Sequence, residues 1–195
     1  MEKIEICLAS NNAHKIVELQ KMLGDTFLII TMKDIGCEDD IEEYGTTFEE
    51  NSRIKADYIH NLYGVNVIAD DSGLEVEALD NRPGVYSARY AGEPTNHQAN
   101  IEKLLLELDG IENREARFRT VITLILDDKH YAFEGHVSGK ITKELRGDEG
   151  FGYDPVFVPD GFEKTFAEMP ADLKNQMSHR ANAINRLLEH LKTKK

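Results

Sequence analysis

The pattern of apolar and polar positions predicts strands and helices that follow one another along the chain. Short apolar runs rich in β-branched residues predict strands over residues 4–9, 27–31, 65–69, 118–126 and 131–137, the last two joined by a tight turn at Asp127-Asp128-Lys129. Apolar residues that recur every three or four positions predict helices over residues 13–24, from a capping box at Thr47-Phe48-Glu49-Glu50 to about residue 63, and over residues 97–108 and 174–192. Helices interleaved with strands, plus one antiparallel hairpin, indicate an α/β fold with a mixed sheet.

Composition narrows the class of protein. At 195 residues, without repeats or long linkers, the chain fits a single domain over residues 1–195. A formal net charge of −13 argues against a protein that binds long nucleic acid on a basic surface. No apolar run approaches membrane-spanning length, and Met1-Glu2-Lys3 leads into a strand rather than a signal peptide. Cys7 and Cys37 form neither a disulfide framework nor a metal-binding spacing, so a cytoplasmic location is expected.

The segment Asp70-Asp71-Ser72-Gly73 follows a buried apolar strand. Open α/β folds place ligand sites at the carboxyl ends of their strands, where adjacent carboxylates can hold a divalent cation and activate a water. Asp-Ser-Gly is also ordinary turn chemistry, and by itself the segment is more typical of a solvated turn. The sequence therefore predicts that the strand ends here in a Ser-Gly turn, with metal chemistry as the alternative.

A second polar cluster, Ser10-Asn11-Asn12-Ala13-His14-Lys15, lies where the first strand turns into the first helix. Free backbone N–H groups and the positive end of a helix dipole suit a phosphate at such a junction, although the glycines of a Walker loop are missing. The alternative is a plain helix cap at Ser10 or Asn11 and a solvated Lys15.

Further candidates come from three segments. Asn51 and Lys55, which follow Glu43-Tyr44-Gly45, share one face of a helix, although an exposed lysine is the ordinary alternative. In the glycine-rich segment 147–155, Phe151 or Tyr153 can stack on a planar base and Asp154 can accept a base N–H, or the aromatics can belong to the core. The last predicted helix begins with Lys174 and contains Ser178-His179-Arg180 soon after it. His179 and Arg180 can donate hydrogen bonds to a base, although a His-Arg pair on a helix is usually exposed to solvent without a ligand.

In this order the segments resemble the inosine/xanthosine triphosphate pyrophosphatases, which clear non-standard purine nucleotides. The resemblance extends from Ser10 to Arg180. It rests on S-x-N-x-x-K at 10–15, E-x-G-x-T-F-x-E-N-x-x-x-K-A at 43–56, A-D-D-S-G-L at 69–74, P-G-x-Y-S-A-R-Y at 83–90, G-F-G-Y-D-P at 150–155 and S-H-R at 178–180. The family pattern usually has alanine at the position of Ser52.

The resemblance implies an elongated mixed β-sheet flanked by helices, two lobes around a central nucleotide-binding cleft, and a homodimer. It implies hydrolysis of dITP, ITP and XTP to the nucleoside monophosphate and pyrophosphate with Mg²⁺. The resemblance makes Asp71 the proton acceptor and a metal ligand, and Glu43 the second metal-binding carboxylate. Asp70 would assist one or both of these roles. The implied substrate-binding residues are Ser10, Asn11, Asn12, Ala13, His14, Lys15, Lys55, Ser72, Phe151, Gly152, Tyr153, Asp154, Lys174, His179 and Arg180, with Arg89 as a further candidate.

Base selectivity has a physical rationale under this hypothesis. His179 and Arg180 are hydrogen-bond donors, which suit the 6-oxo group of hypoxanthine or xanthine and oppose the 6-amino group of adenine. Two other functions stay open: a pyrophosphatase for modified pyrimidine nucleotides, and a non-catalytic nucleotide sensor. The carboxylates argue against a sensor, because a protein that only binds nucleotides does not need to activate water.

Overall fold

The structure, a computed structural model, describes residues 3–193. Met1 and Glu2, which entered the expectation about a signal peptide, lie outside the described residues. No helix within residues 3–193 is long and apolar enough to cross a membrane. The helices and strands are, in chain order, β1 (Ile4–Leu8), α1 (Ala13–Leu23), β2 (Phe27–Thr31), α2 (Phe48–Tyr63), β3 (Val67–Val76), β4 (Arg82–Pro83), α3 (His97–Glu107), β5 (Glu115–Leu126), β6 (Lys129–Ile141), β7 (Phe157–Pro159), α4 (Ala171–Met177) and α5 (His179–Thr193).

The strands form one open, mixed sheet, which confirms the predicted fold class. Their order is β2-β1-β3-β5-β6-β7, with β4 paired to β3 beside this path. The β1 strand pairs in parallel with both β2 and β3, whereas β3 pairs antiparallel with β4 and β6 antiparallel with β7. Parallel strands need a crossover segment, and α1 and α2 fill that place in the chain.

The chain forms two compact units. Among the described residues, the first comprises 3–71, 120–134 and 183–193, and the second comprises Ser72–Arg119 and Gly135–Asn182. Each has its own apolar core. The first core includes Leu8, Leu19, Ile68 and Leu187 in one cluster and Cys7, Cys37, Ile59 and Val67 in another; the second includes Leu74, Leu104, Phe118, Val156 and Phe166.

The predicted Ser-Gly turn is wrong. The β3 strand continues through Asp70, Asp71, Ser72 and Gly73 to Val76. β3 pairs with β1 at Val67 and Ile68, with β4 at Glu75 and Val76, and has β5 as its neighbour on the other side, so it keeps ladder partners that a turn would forfeit. Tertiary pairing therefore overrides the local turn preference, and the two aspartates are part of a strand buried along residues 67–71.

The single predicted last helix is also wrong, because it is two helices with a break at Ser178. Ser178 has extended backbone (φ −64°, ψ 160°), and its N–H closes α4 on the Lys174 carbonyl. Its hydroxyl accepts the Ala181 N–H at 3.1 Å, as an N-cap does. Lys174 therefore lies in α4, whereas His179 and Arg180 open α5.

The predicted hairpin is present and longer than its apolar pattern indicated. Only Asp127 and Asp128 separate β5 from β6, and a connection this short requires antiparallel neighbours. Both aspartates have positive φ, 49° and 60°, as the favoured two-residue hairpin turns demand.

This turn yields a stability prediction at Asp128, whose exposed carboxylate pairs with His60 at 3.1 Å. Asp128→Gly and Asp128→Ala both remove that pair, but only glycine is unstrained at positive φ. We expect the glycine variant to be more stable than the alanine variant by about 1 kcal/mol in urea unfolding. Equal stabilities, or a more stable alanine variant, would contradict the assigned turn.

Candidate active site

The polar residues of the first unit meet at the carboxyl end of the parallel pair β1 and β3. Because the chain leaves β1 towards β2 on one side and returns as β3 on the other, a crevice is expected there. The ammonium of Lys15, in the first turn of α1, lies 3.1 Å from the Asp70 carboxylate, which is fully buried. The structure thus brings together the Ser10–Lys15 junction and the paired aspartates, and Lys15 is not a solvated lysine.

The first turn of α1 is capped by Asn12, not by Ser10 or Asn11 as the plain-cap alternative proposed. The Asn12 side-chain oxygen accepts the N–H groups of His14 and Lys15 at 3.1 and 3.2 Å. The Ser10 hydroxyl in turn accepts the Asn12 N–H at 3.2 Å. These bonds shape the junction, and Ala13 is the first helical residue after the cap.

Lys55 is the most enclosed cation of this cluster. Its side chain projects from α2, and the residue is 8% exposed. The ammonium donates to Glu43 Oε1 at 2.5 Å and to the Asp70 carbonyl oxygen at 2.7 Å. Burial lowers the pKa of Lys55, but the charges of Asp71, Glu43 and Asp70 outweigh burial and raise it above its usual value. Lys55 is therefore a buried cation rather than the exposed lysine of the alternative interpretation.

Glu43 is carried by a segment, residues 37–47, that has neither helix nor strand. At one end, Asn11 donates its side-chain amide to the Asp39 carbonyl oxygen at 3.4 Å, and Tyr58 donates its hydroxyl to the Asp39 carboxylate at 2.8 Å. Near the other end, the Gly45 N–H donates to the Asn51 side-chain oxygen at 2.8 Å. Side-chain bonds thus hold Glu43 beside Lys55.

Asp71 is a buried carboxylate with a raised pKa. It is 5% exposed, and its backbone carbonyl accepts a hydrogen bond from Thr120 at 3.1 Å. Burial raises the pKa of Asp71 from 3.8 to about 6; Lys55 and Lys15 oppose that change, and the charge of Glu43 adds to it. A carboxylate tuned in this way is suited to accept a proton near neutral pH.

The donor set is appropriate for a hard divalent cation. Three carboxylates, at Glu43, Asp70 and Asp71, interact with the Lys55 ammonium, and Lys15 supplies the second positive charge. Within residues 3–193 no group of three or more His, Cys, Asp or Glu side chains is placed to hold a metal by itself. Magnesium commonly takes one or two carboxylates plus substrate phosphates, so Glu43 and Asp71 fit it without a third protein ligand.

In the second unit, Lys174 and Asp154 form a buried ion pair. Lys174 Nζ lies 2.6 Å from Asp154 Oδ2, with the side chains 7% and 5% exposed. The same carboxylate oxygen accepts the Phe151 N–H at 2.9 Å. Gly150 makes room for this arrangement, since a Cβ there would lie 2.1 Å from Asp154 Oδ2.

The two aromatics of the glycine-rich segment have different environments. Tyr153 is 5% exposed, packs in the core of the second unit and donates its hydroxyl to the Ser87 carbonyl at 2.7 Å. Phe151 is half-buried, and the Lys174 ammonium lies 5.0 Å from its ring centroid. Gly152, between them, has a φ of 62°. Phe151 is thus the more accessible of the two rings.

His179 and Arg180 lie at the start of α5 and are buried, not exposed on the surface. The His179 ring is stacked on Phe118, with centroids 4.9 Å apart and planes 14° apart. Arg180 is 1% exposed, and its guanidinium reaches the Ser72 hydroxyl at 3.5 Å. Arg89, the further candidate, lies 5.6 Å from the centroid of the exposed Tyr86 ring.

Two residues with no role predicted from the sequence bind the backbone beside the carboxylates: Thr120 donates to the Asp71 carbonyl, and Asn51 accepts the Gly45 N–H. The sequence places Asn51 on the helix face of Lys55 and in the motif at 43–56, and it places Thr120 in the predicted strand 118–126. One signal was available for Asn51: it falls one turn before Lys55, so any site that Lys55 enters is within its reach. Thr120 gave no such signal.

The raised pKa of Asp71 predicts a pH-dependent stability. The pKa of Asp71 is about 6 in the folded protein and near 3.8 in the unfolded chain. Protonation of Asp71 therefore stabilises the fold fully below pH 3.8, and this stabilisation is lost as the pH rises through 6. Between pH 5 and pH 8 the wild type should lose roughly 1–2 kcal/mol from this group, whereas Asp71→Asn should not. Urea unfolding of the wild type and of Asp71→Asn, with a chelator present to remove metal ions, measures the change in unfolding free energy between pH 5 and pH 8. Asp25→Asn, which replaces an exposed acid, is the control. A pH slope identical in all three proteins would contradict the assignment.

Comparisons with known proteins agree with this architecture. The model of the Ham1 family matches residues 6–190. A dITP/XTP pyrophosphatase of Flavobacterium johnsoniae is 48% identical over 188 residues, 96% of this chain and 98% of the relative. A dITP/XTP pyrophosphatase of Porphyromonas gingivalis is 50% identical over 192 residues, 98% of each protein. The solved structure of the Staphylococcus aureus Ham1 protein superposes with a TM-score of 0.90 at 44% identity, over 98% of this chain and all of that one. The chain therefore belongs to the Ham1 family.

Proposed function

We propose that this protein is a nucleoside triphosphate pyrophosphohydrolase that converts dITP, ITP and XTP to the nucleoside monophosphate and pyrophosphate. The observation that carries the proposal is the buried Asp71 carboxylate in the field of Lys55, with Glu43 bound to the same ammonium. Relatives that cover nearly the whole chain are dITP/XTP pyrophosphatases, which supports this substrate class.

Magnesium is the proposed cofactor, with Glu43 and Asp71 as its protein ligands. Hard carboxylate oxygens favour Mg²⁺ over zinc, and the negative charge of the cluster favours a cation. When bound, the ion supplies charge neutralisation for the phosphates and lowers the pKa of water.

The residues of the first unit act on the triphosphate in this mechanism. Asp71 accepts the proton of the water that attacks the α-phosphorus, and its raised pKa keeps that transfer favourable near neutral pH. Lys15 and Lys55 provide positive charge for the phosphate oxygens, and the residues from Ser10 to His14 supply polar groups at the start of α1. Asp70 keeps Lys15 in place through its ion pair.

The residues of the second unit select the base. His179 and Arg180 donate to the 6-oxo group, while Phe151, the more accessible aromatic ring, stacks on the purine plane. Lys174, Asp154, Gly152 and Tyr153 fix the segment that carries Phe151, and Ser72 contacts Arg180. A cytoplasmic homodimer with no long nucleic acid among its ligands completes the proposal.

A substrate panel tests the function. We expect wild-type protein with Mg²⁺ to release pyrophosphate from ITP, dITP and XTP, and Asp71→Asn to lose at least about 100-fold in kcat, because the proton acceptor is gone. Phosphate-release and pyrophosphate-release assays measure which products form and the loss of kcat. Equilibrium binding of ITP shows whether Asp71→Asn still binds the substrate. Asp25→Asn, at an exposed position away from these residues, is the matched control.

Three results of the panel would overturn the proposal. Strong turnover of dTTP or UTP with none of ITP would identify a pyrimidine enzyme. Binding of ITP without turnover by the wild type would identify a sensor. Near-wild-type activity of Asp71→Asn would move the proton acceptor to another residue.

Base selectivity is tested separately at the two donors. His179→Ala and Arg180→Ala should each reduce the ITP-to-ATP ratio of kcat/KM by roughly 10-fold or more, because a mismatched buried donor no longer rejects the adenine amino group. Steady-state kinetics with both nucleotides measure the ratio. If the ratio is unchanged in both variants, the base is recognised by other residues.

A further inference from the structure

Phe118 is a buried aromatic residue that packs against His179, and neither the motifs nor the proposed mechanism gives it a role. It lies near the start of β5, where the buried residues Ala116 and Phe118 alternate with the exposed Arg117. A strand directs alternate side chains to the same face of a sheet, so this pattern dictates only that Phe118 faces the core. Its contacts there indicate a more specific role.

The imidazole of His179 lies flat against the Phe118 ring. The two centroids are 4.9 Å apart, the planes differ by 14°, and both side chains are buried. The last side-chain torsion of a histidine has a broad energy profile, so torsional preference alone leaves the plane of the imidazole undefined. The flat neighbour restricts that plane, because tilting the imidazole would drive its edge into the Phe118 ring.

Phe118 is itself held by two further aromatic rings. The Phe157 ring meets it edge to face, with centroids 4.7 Å apart and an interplanar angle of 61°. The Phe166 ring lies closer to parallel, at 6.0 Å and 21°. Phe157 and Phe166 are fully buried, and β5 itself lies between β3 and β6 in the sheet. Phe118 is therefore a rigid support for the ring of His179.

The same group of rings extends to the residue proposed to stack on the base. The Lys174 ammonium lies 5.7 Å from the centroid of Phe166 and 5.0 Å from that of Phe151. Phe166 thus packs near both Phe118 and Lys174. The proposed stacking ring and the proposed donor are therefore connected through packed side chains of the second unit.

We propose that Phe118 is a positioning residue for base selectivity, whose ring fixes the plane of the His179 imidazole and thereby the direction in which His179 donates. The N–H bonds of an imidazole lie in the ring plane, and a hydrogen bond weakens steeply when it is bent. A fixed donor favours a 6-oxo acceptor and opposes a 6-amino group, whereas a ring free to tilt avoids the unfavourable contact with adenine. This inference rests on the proposed function, in which His179 reads the base.

Two variants remove the ring and keep an apolar side chain. Phe118→Leu and Phe118→Ile should each lower the ITP-to-ATP ratio of kcat/KM about 5-fold, less than His179→Ala does, because the donor is present but is no longer held. The kcat for ITP should stay within about 2-fold of wild type, since the groups that activate water are unchanged. Steady-state kinetics with ITP and ATP measure the ratio and kcat.

Leu104→Ala is the matched control for a general loss of stability. Leu104 is fully buried in α3 and belongs to the same core cluster as Phe118, but it has no aromatic ring. Truncation of a buried leucine is a strongly destabilising change, and urea unfolding shows whether this variant is destabilised at least as much as Phe118→Leu. We expect it to keep the wild-type ratio. An equal fall in Leu104→Ala would attribute the change to lost stability and overturn the proposal.

A double-mutant cycle tests whether Phe118 acts through His179. In the His179→Ala background, Phe118→Leu should lower the ratio no further, because no imidazole is left to orient. A merely structural role would produce the same loss in both backgrounds. A further loss of about 5-fold in His179→Ala would therefore refute the positioning role.

Nuclear magnetic resonance tests the stack without nucleotide or metal. The ring protons of His179, assigned by their absence in His179→Ala, should be shifted upfield by the Phe118 ring in the wild type. That shift should be lost in both Phe118 variants and kept in Leu104→Ala. Unshifted His179 ring signals in the wild type would overturn the proposal even if neither Phe118 variant folds.

The outcomes distinguish this inference from the proposed function. If the wild type hydrolyses no purine triphosphate, or if His179→Ala leaves the ratio unchanged, the proposed role of His179 fails and the inference fails with it. If His179→Ala lowers the ratio while the folded Phe118 variants keep it, only the inference fails, because His179 then reads the base without support from Phe118.

Discussion

The arrangement of the first unit depends on burying two lysine ammonium groups among three carboxylates. Lys55 is held by Glu43 and by the backbone of Asp70, and Lys15 by the Asp70 side chain. Burying Lys55, Asp70 or Asp71 without a partner would cost several kcal/mol, a large part of a typical domain's stability, so the opposite charges stabilise one another. Three carboxylates and two ammonium groups leave one negative charge in excess. A divalent cation, or a proton on Asp71, would compensate it.

This constraint also explains why Asp71 differs from Asp70. Asp70 has an ammonium at 3.1 Å, whereas Asp71 is nearly as buried and shares its cations with Glu43. The cluster therefore contains one carboxylate with a dedicated partner and one whose charge is poorly compensated. Functional sites often keep such locally unfavourable groups because the chemistry needs them.

Much of the framework could be predicted from the sequence, because local signals specify it. The approximate bounds of the first four elements, including the helix ends near residues 24 and 63, and the hairpin turn follow from periodicity and caps. The course of β3 through its aspartates could not be predicted, since only pairing with strands distant in sequence keeps that segment extended. The helix break at Ser178 was missed because serine inside a periodic pattern is also tolerated in helices.

The site was predictable to a similar degree. Lys15 and Lys55 could be placed because each occupies the first or second turn of a helix that follows a motif. The hydrogen bond from the Gly45 N–H to the Asn51 side-chain oxygen could not be predicted, because it joins an irregular segment to the first turn of α2. The spacing of Asn51 and Lys55 indicates a shared helix face, but it does not indicate which backbone group Asn51 binds.

The continuation of β3 through Asp71 has a mechanical consequence for the two proposed metal ligands. Asp71 lies within β3, and its backbone carbonyl accepts a hydrogen bond from Thr120 of the neighbouring strand β5, which limits the freedom of its backbone. Glu43 lies on residues 37–47, whose order depends on a few side-chain bonds. If Glu43 and Asp71 bind a metal as proposed, the segment of Glu43 is the part that can adjust to ion size and phosphate geometry.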